Sequence, residues 1–181
     1  MPLTVLFVCT ANISRSPYLE RRSRQLLAEL VPADAGLQPV RFGSAGTAGI
    51  PSQEMDPHMA AELATRGVDG SDHRSRGLTP ALVHRADLVL TATVAHRSRI
   101  LAEQPAAVSR TFTVAQFATN VDTLDAGLTG AALLADRSAV QVLRRPAGGD
   151  LADPYRRGPA AAHASAATID ALLRVIIPRL V

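Results

Sequence analysis

The feature that most constrains the fold is the run Leu3 to Val8, "LTVLFV", a β-branched and aromatic stretch without polar alternation. Such a run belongs to a strand covered on both faces, which calls for a largely parallel sheet between two layers of helix. It ends at Cys9, the only cysteine in the chain. Val40 to Ser44 predicts a second strand, "ADLVLTAT" a third and "RTFTV" a fourth. Helical segments lie between them. Ser16-Pro17 reads as N-cap and first helical residue of a helix to about Leu30, "HMAAELATRG" as a helix stopped by Gly67, and Val94 to Glu103 as a third. A last amphipathic helix runs from Ala160 to Leu180, broken late by Pro178. Between Ala115 and Asp150, "TGAALLADRSAVQVL" has helical propensity and "RRPAGGDLADP" is a Pro/Gly-rich loop. Neither repeat nor linker interrupts the pattern, so residues 1–181 are expected to form one α/β domain. In such folds ligands sit at the carboxyl ends of the strands, where Cys9 stands.

Composition removes several function classes. With 47% hydrophobic and 19% charged residues the chain reads as a soluble globular protein. No apolar run looks long enough to cross a bilayer, and "MPLTVLFVC" lacks the basic flank and cleavage site of a signal peptide. One cysteine makes no internal disulfide, in keeping with a reducing cytoplasm. The net charge is +3, and all 19 basic residues are Arg. They are interspersed with 16 acidic residues, and only two Tyr and four Phe are available for stacking on bases, which argues against a nucleic-acid surface. His58, His84, His96 and His163 read as surface or core residues, without ligand-like spacing for a metal.

The loop after the first strand is where chemistry concentrates. A cysteine nucleophile acts as its thiolate, and a loop bridging a strand to a helix N-terminus can turn backbone N–H groups inward to stabilise both a thiolate and a phosphate-like oxyanion. Arg15 is placed to grip two oxygens with its planar fork. Ser16 can donate its hydroxyl to the thiolate. Taken singly, Cys9 could be core packing, Ser16 a helix cap and Asp153-Pro154 a turn. It is the order strand, Cys, polar loop, Arg, Ser, Pro, helix that sets this segment apart.

"VLFVCTANISRSP" resembles the phosphate-binding loop of bacterial-type low-molecular-weight protein-tyrosine phosphatases, whose signature is Cys, five residues, Arg, then Ser or Thr. "FGSAGT" resembles that family's second-strand segment, "ADLVLTAT" its third and "LADPYRR" its late Asp-Pro loop. The resemblance implies a three-layer α/β/α fold of flavodoxin type around a four-stranded parallel sheet. It also implies a phosphocysteine mechanism without cofactor or metal: Cys9 as nucleophile, Asp153 as general acid and then base, and Arg15 with the N–H groups of Thr10, Ala11, Asn12, Ile13, Ser14 and Ser16 holding the phosphoryl oxygens. Asn12 corresponds to a loop asparagine tolerant of left-handed backbone. Ser16, Ser44 and His73 correspond to hydrogen-bond partners bracing the loop, with Arg76 beside them.

Some positions depart from the family pattern. Ser14 replaces the loop's second cysteine, which leaves Cys9 open to oxidation beyond the sulfenic state. Ala11 replaces a glycine, a strain if that position needs positive φ. Ile50 and Tyr155 are the expected pocket walls, a thin aromatic lining that implies a wider mouth and weak activity on small aryl phosphates. Ile13 is the tyrosine-type choice where phosphoarginine phosphatases carry Thr. Arsenate reduction on this fold needs further cysteines, which the chain lacks. The expected function is therefore hydrolysis of phosphotyrosine in proteins. The alternatives are a catalytically weak phosphoprotein-binding relative, or a phosphatase for small molecules or phosphoarginine. The expected partners are a phosphorylated protein and a cognate tyrosine kinase in the cytoplasm. Part of the 115–150 stretch is expected to overhang the pocket.

Overall fold

A computed structural model of the chain describes residues 1–31 and 39–181. Four strands, β1 (Leu3–Cys9), β2 (Val40–Gly46), β3 (Leu88–Thr91) and β4 (Thr111–Thr113), form one parallel sheet in the order β2-β1-β3-β4. The register aligns Cys9 with Gly46, and Val8 with Thr91, so the carboxyl ends of β1, β2 and β3 finish together. Because β1 has β2 on one side and β3 on the other, the strand order reverses beside it, and that reversal opens the crevice in which such sheets bind ligands.

Among the described residues eight helices flank the sheet: α1 (Arg15–Leu30), α2 (Pro57–Ala64), α3 (Pro80–Arg85), α4 (Val94–Glu103), α5 (Val114–Val121), α6 (Gly130–Ala135), α7 (Arg137–Leu143) and α8 (Gly158–Ile176). The alternation of side chains along each strand divides the core in two. Val5, Phe7, Cys9, Phe42, Leu88 and Leu90 join the larger core with α1, α2, α5 and α8. Leu6, Val8, Ala45 and Val89 join Val83 of α3 and Ile100 of α4 on the other face. These are the three layers that the sequence implies.

The differences from the sequence reading are local. The first helix begins at Arg15 rather than Pro17, with Ser14 at the cap and no side-chain cap bond. Its first N–H groups are thus left to the loop. Two helices were not anticipated. Pro80–Arg85 follows Thr79, whose hydroxyl accepts from Leu82 N–H, but six residues are too few to display a period. Val114–Val121 is announced by a capping box in which Thr113 and Gln116 satisfy each other's backbone. Gly158–Leu180 is long and apolar enough by composition to cross a bilayer, contrary to the sequence expectation. Here it is the central core helix: Ala162, Ala166, Ile169, Leu173 and Ile176 are buried against neighbouring helices. The helix ends at Ile176, and a 3-10 turn containing Pro178 completes it.

Candidate active site

The loop from Cys9 to Ser16 is shaped by what holds its carbonyls. Cys9 O accepts from Thr47 N–H at 2.9 Å, Thr10 O from Ala48 N–H at 2.8 Å, and Ile13 O from Asp56 N–H at 2.7 Å. His73 Nε2 donates to Asn12 O at 2.7 Å. With these carbonyls tied to the outer segments, the intervening peptides turn their N–H groups inward. From Ala11 to Ser14 those N–H groups meet no acceptor among the described residues. The close fit depends on Gly46, since a Cβ there would stand 2.5 Å from Thr10 O.

Asn12 is the internal brace. Its φ of +59° is the left-handed conformation that Asn tolerates better than most residues. Its fully buried amide donates to Ser16 Oγ and to Ser44 Oγ, both at 2.9 Å, and its Oδ1 accepts from Arg76 N–H at 3.0 Å. Ser44 Oγ donates onward to Glu20, and Arg76 Nε donates to Ser44 O. Ser16 Oγ lies 3.0 Å from Cys9 Sγ. As it already accepts from Asn12, its own proton is available to the sulfur. Ala11 does not carry the positive φ, so its replacement of glycine brings no backbone strain. Burial holds the His73 imidazole below its ordinary pKa, leaving a neutral ring that donates through Nε2 to Asn12 O.

The second half of the site arrives from the loop before α8. Arg15 Nη2 pairs with Asp153 Oδ2 at 2.9 Å, and Nη1 donates to Leu151 O at 3.0 Å. The arginine is buried while the carboxylate is about half exposed. Asp153 Oδ1 accepts from Tyr155 N–H, and Tyr155 stands 42% exposed with Arg156 over its ring. A cavity of about 180 Å³ joins the two halves, lined by Cys9, Thr10, Ala11, Ile13, Ser14, Arg15, Asp153 and Tyr155. Two buried polar atoms on its wall, Ser14 Oγ and Arg15 Nε, have no partner among the described residues, as suits a site built for an oxyanion.

Most residues singled out from the sequence therefore converge here. Ile50 does not: it is 65% exposed on the loop after β2 and lines no part of the cavity. The 115–150 stretch does not overhang either, as no lining residue comes from it. Its helices pack against each other and α8, with Gln116 and Asn120 amides on Arg145 O. His96, read from the sequence as a surface or core residue, is buried, and it has a contact that the sequence reading did not assign. It is not a bystander: Nε2 lies 2.9 Å from Thr10 Oγ1. The signal that could have found it is the Thr93-x-x-His96 spacing, which caps α4 and turns the ring toward the end of β1.

Residues 4–130 match the family described as low molecular weight phosphotyrosine protein phosphatase. A probable low molecular weight protein-tyrosine-phosphatase EpsP from Ralstonia solanacearum is 35% identical over 60% of this chain and 68% of its own length. A protein-arginine-phosphatase from Geobacillus stearothermophilus is 32% identical over 67% of this chain and 76% of its own. The solved structure of the YwlE arginine phosphatase from the same organism superposes with a TM-score of 0.74 at 26% identity, covering 99% of this chain and 93% of that one.

Proposed function

The chain belongs to the low molecular weight phosphotyrosine protein phosphatase family, and from that premise we propose that it hydrolyses phosphotyrosine in proteins through a phosphocysteine intermediate on Cys9. The observation that carries this reading is the Arg15–Asp153 pair standing over the cavity that Cys9 lines. The phosphoryl oxygens enter the ring of inward N–H groups and take up the Arg15 donors. That releases Asp153 Oδ2 from Arg15 to take up the proton that arrives with the phosphate monoester monoanion and to turn toward the leaving oxygen. Cys9 thiolate forms the S–P bond as the P–O bond to tyrosine breaks, and Asp153 gives its proton to the phenolic oxygen. Asp153 then takes a proton from water as the water oxygen bonds to phosphorus and the S–P bond breaks. The Ser16 hydroxyl steadies the departing thiolate. No step calls on a cofactor. The partners of this reading are a phosphorylated protein and the kinase that opposes it, in a cytoplasm that keeps the thiol reduced.

Similarity to arginine phosphatases supports a second reading, cleavage of phosphoarginine. Against it, Ile13 lines the cavity without a hydroxyl to place water. The deciding experiment compares a phosphotyrosyl peptide, a phosphoarginyl peptide and para-nitrophenyl phosphate. The wild type is expected to favour the tyrosyl peptide, and Cys9→Ser to abolish turnover of all three. Asp153→Asn is expected to lose about a hundredfold on the tyrosyl peptide and less on nitrophenyl phosphate, whose leaving group needs little protonation. Preference for the arginyl peptide would select the second reading. Phosphate binding without turnover would make the protein a phosphoprotein-binding relative.

A further inference from the structure

His96 stands against the side chain of Thr10, the residue after the nucleophile, and the mechanism above leaves it unused. The ring is 8% exposed, with Nε2 at 2.9 Å from Thr10 Oγ1 and Nδ1 at 2.8 Å from Thr93 Oγ1. Thr93 Oγ1 also accepts the His96 backbone N–H as the cap of α4. Its hydroxyl proton is then free to go to Nδ1, and in that arrangement the accepting Nδ1 places the ring proton on Nε2. Nε2–H then donates to Thr10 Oγ1. Thr10 keeps its own hydroxyl proton, and Thr10 lines the cavity.

We propose that His96 is a positioning residue which, through this relay from Thr93, turns the Thr10 hydroxyl proton into the cavity as a side-chain donor to the phosphoryl oxygens. The proposal rests on the phosphatase reading for its substrate, and it adds a donor to the loop N–H groups. A neutral ring suits the relay, since it offers one donor and one acceptor. Burial, with Arg15 beside it, holds His96 below its ordinary pKa, against the opposite pull of Asp150 and Asp153; Arg99, one turn along α4, adds to the lowering. The relay also joins the two halves of the site. Val94 N–H at the start of α4 donates to Asp150 Oδ1 at 2.7 Å, and Leu151 N–H to Ala92 O at 2.9 Å. The turn that aims His96 thus also anchors the Asp153 loop.

The test measures kcat/KM for para-nitrophenyl phosphate and the affinity for inorganic phosphate by calorimetry. It covers Thr10→Val, Thr10→Ser, His96→Leu, His96→Gln and the Thr10→Val/His96→Leu double variant. Thr10→Val and His96→Leu are each expected to lower both quantities about tenfold, the size of one hydrogen bond to a charged group. Thr10→Ser keeps the hydroxyl and is expected to recover most of what Thr10→Val loses in both quantities. His96→Gln can donate from nearly the Nε2 position and is expected to recover most of the loss. The double variant should be no worse than Thr10→Val alone, because both changes remove one interaction. Losses that multiply in the double variant, or His96→Gln as poor as His96→Leu, overturn the proposal. Should the wild type turn nothing over, the phosphatase reading fails, while phosphate affinity across the same variants still decides the relay. Should His96→Leu fail to fold, equal phosphate affinity in Thr10→Val and Thr10→Ser overturns it.

Discussion

Between Cys9 and Ser16, the polar groups that turn away from the cavity find buried partners: Asn12 alone reaches Ser16, Ser44 and Arg76, and His73 closes on its carbonyl. Between Leu151 and Arg157 the pattern is different. Ala152, Asp153, Tyr155, Arg156 and Arg157 are exposed, and the segment is held at its start by Leu151 on Ala92 O and by Arg15. One loop is preorganised to receive charge, which is where fixed donors accelerate a reaction most. The other carries a group that must first give and then take a proton, and fewer buried bonds let it open at lower free energy than the loop it faces. Arg15 belongs to both.

Breaking that link should give the largest effect. Arg15→Lys keeps the charge but loses the planar fork that contacts Leu151 O and Asp153 together. We expect kcat/KM for an aryl phosphate to fall about a thousandfold, by steady-state kinetics, with the loss shared between phosphate affinity and kcat. A loss under tenfold would mean that the two loops act independently and that the N–H ring alone does the binding. Asn12→Ala attacks the phosphate loop from behind. It leaves buried Ser16, Ser44 and the Arg76 N–H without their partner and puts alanine at φ +59°. About 3 kcal/mol of stability should be lost by denaturant titration. An equally large loss for Asp153→Asn would erase the contrast between the loops, since that carboxylate is half exposed.

How much of this was legible in the sequence follows the same division. The sheet was readable because Leu3 to Val8 and the later apolar runs leave no polar face, and the phosphate loop because its residues are contiguous. His73 and Ser44 came only through family resemblance, as their meeting at Asn12 joins residues far apart in sequence. His96 was missed because the Thr93-x-x-His96 spacing marks a helix cap, and a cap by itself does not say that the ring meets Thr10. Ile50 was misplaced for the converse reason: residue type suggested a wall, but the backbone after Gly46 leads that segment out into solvent. Helix α3 is too short for a period to show.

The smallest expected effect concerns strain in the Asp153 loop. Arg156 holds φ at +59° in the open, with its guanidinium over Tyr155 at 5.1 Å from the ring centroid and no buried bond beneath it. A left-handed conformation costs a non-glycine residue about 1 kcal/mol, while glycine adds a smaller entropic cost in the unfolded chain. Arg156→Gly should therefore stabilise the fold by about 0.5 kcal/mol, read as a small rise in Tm. It should leave kcat/KM for para-nitrophenyl phosphate unchanged, because Asp153 is aimed by Arg15 and Leu151 upstream of the strained residue. A rise in Tm accompanied by a fall in kcat would place the strain itself in the service of aiming Asp153. The exposed loop would then be as preorganised as the buried one, by backbone geometry instead of hydrogen bonds.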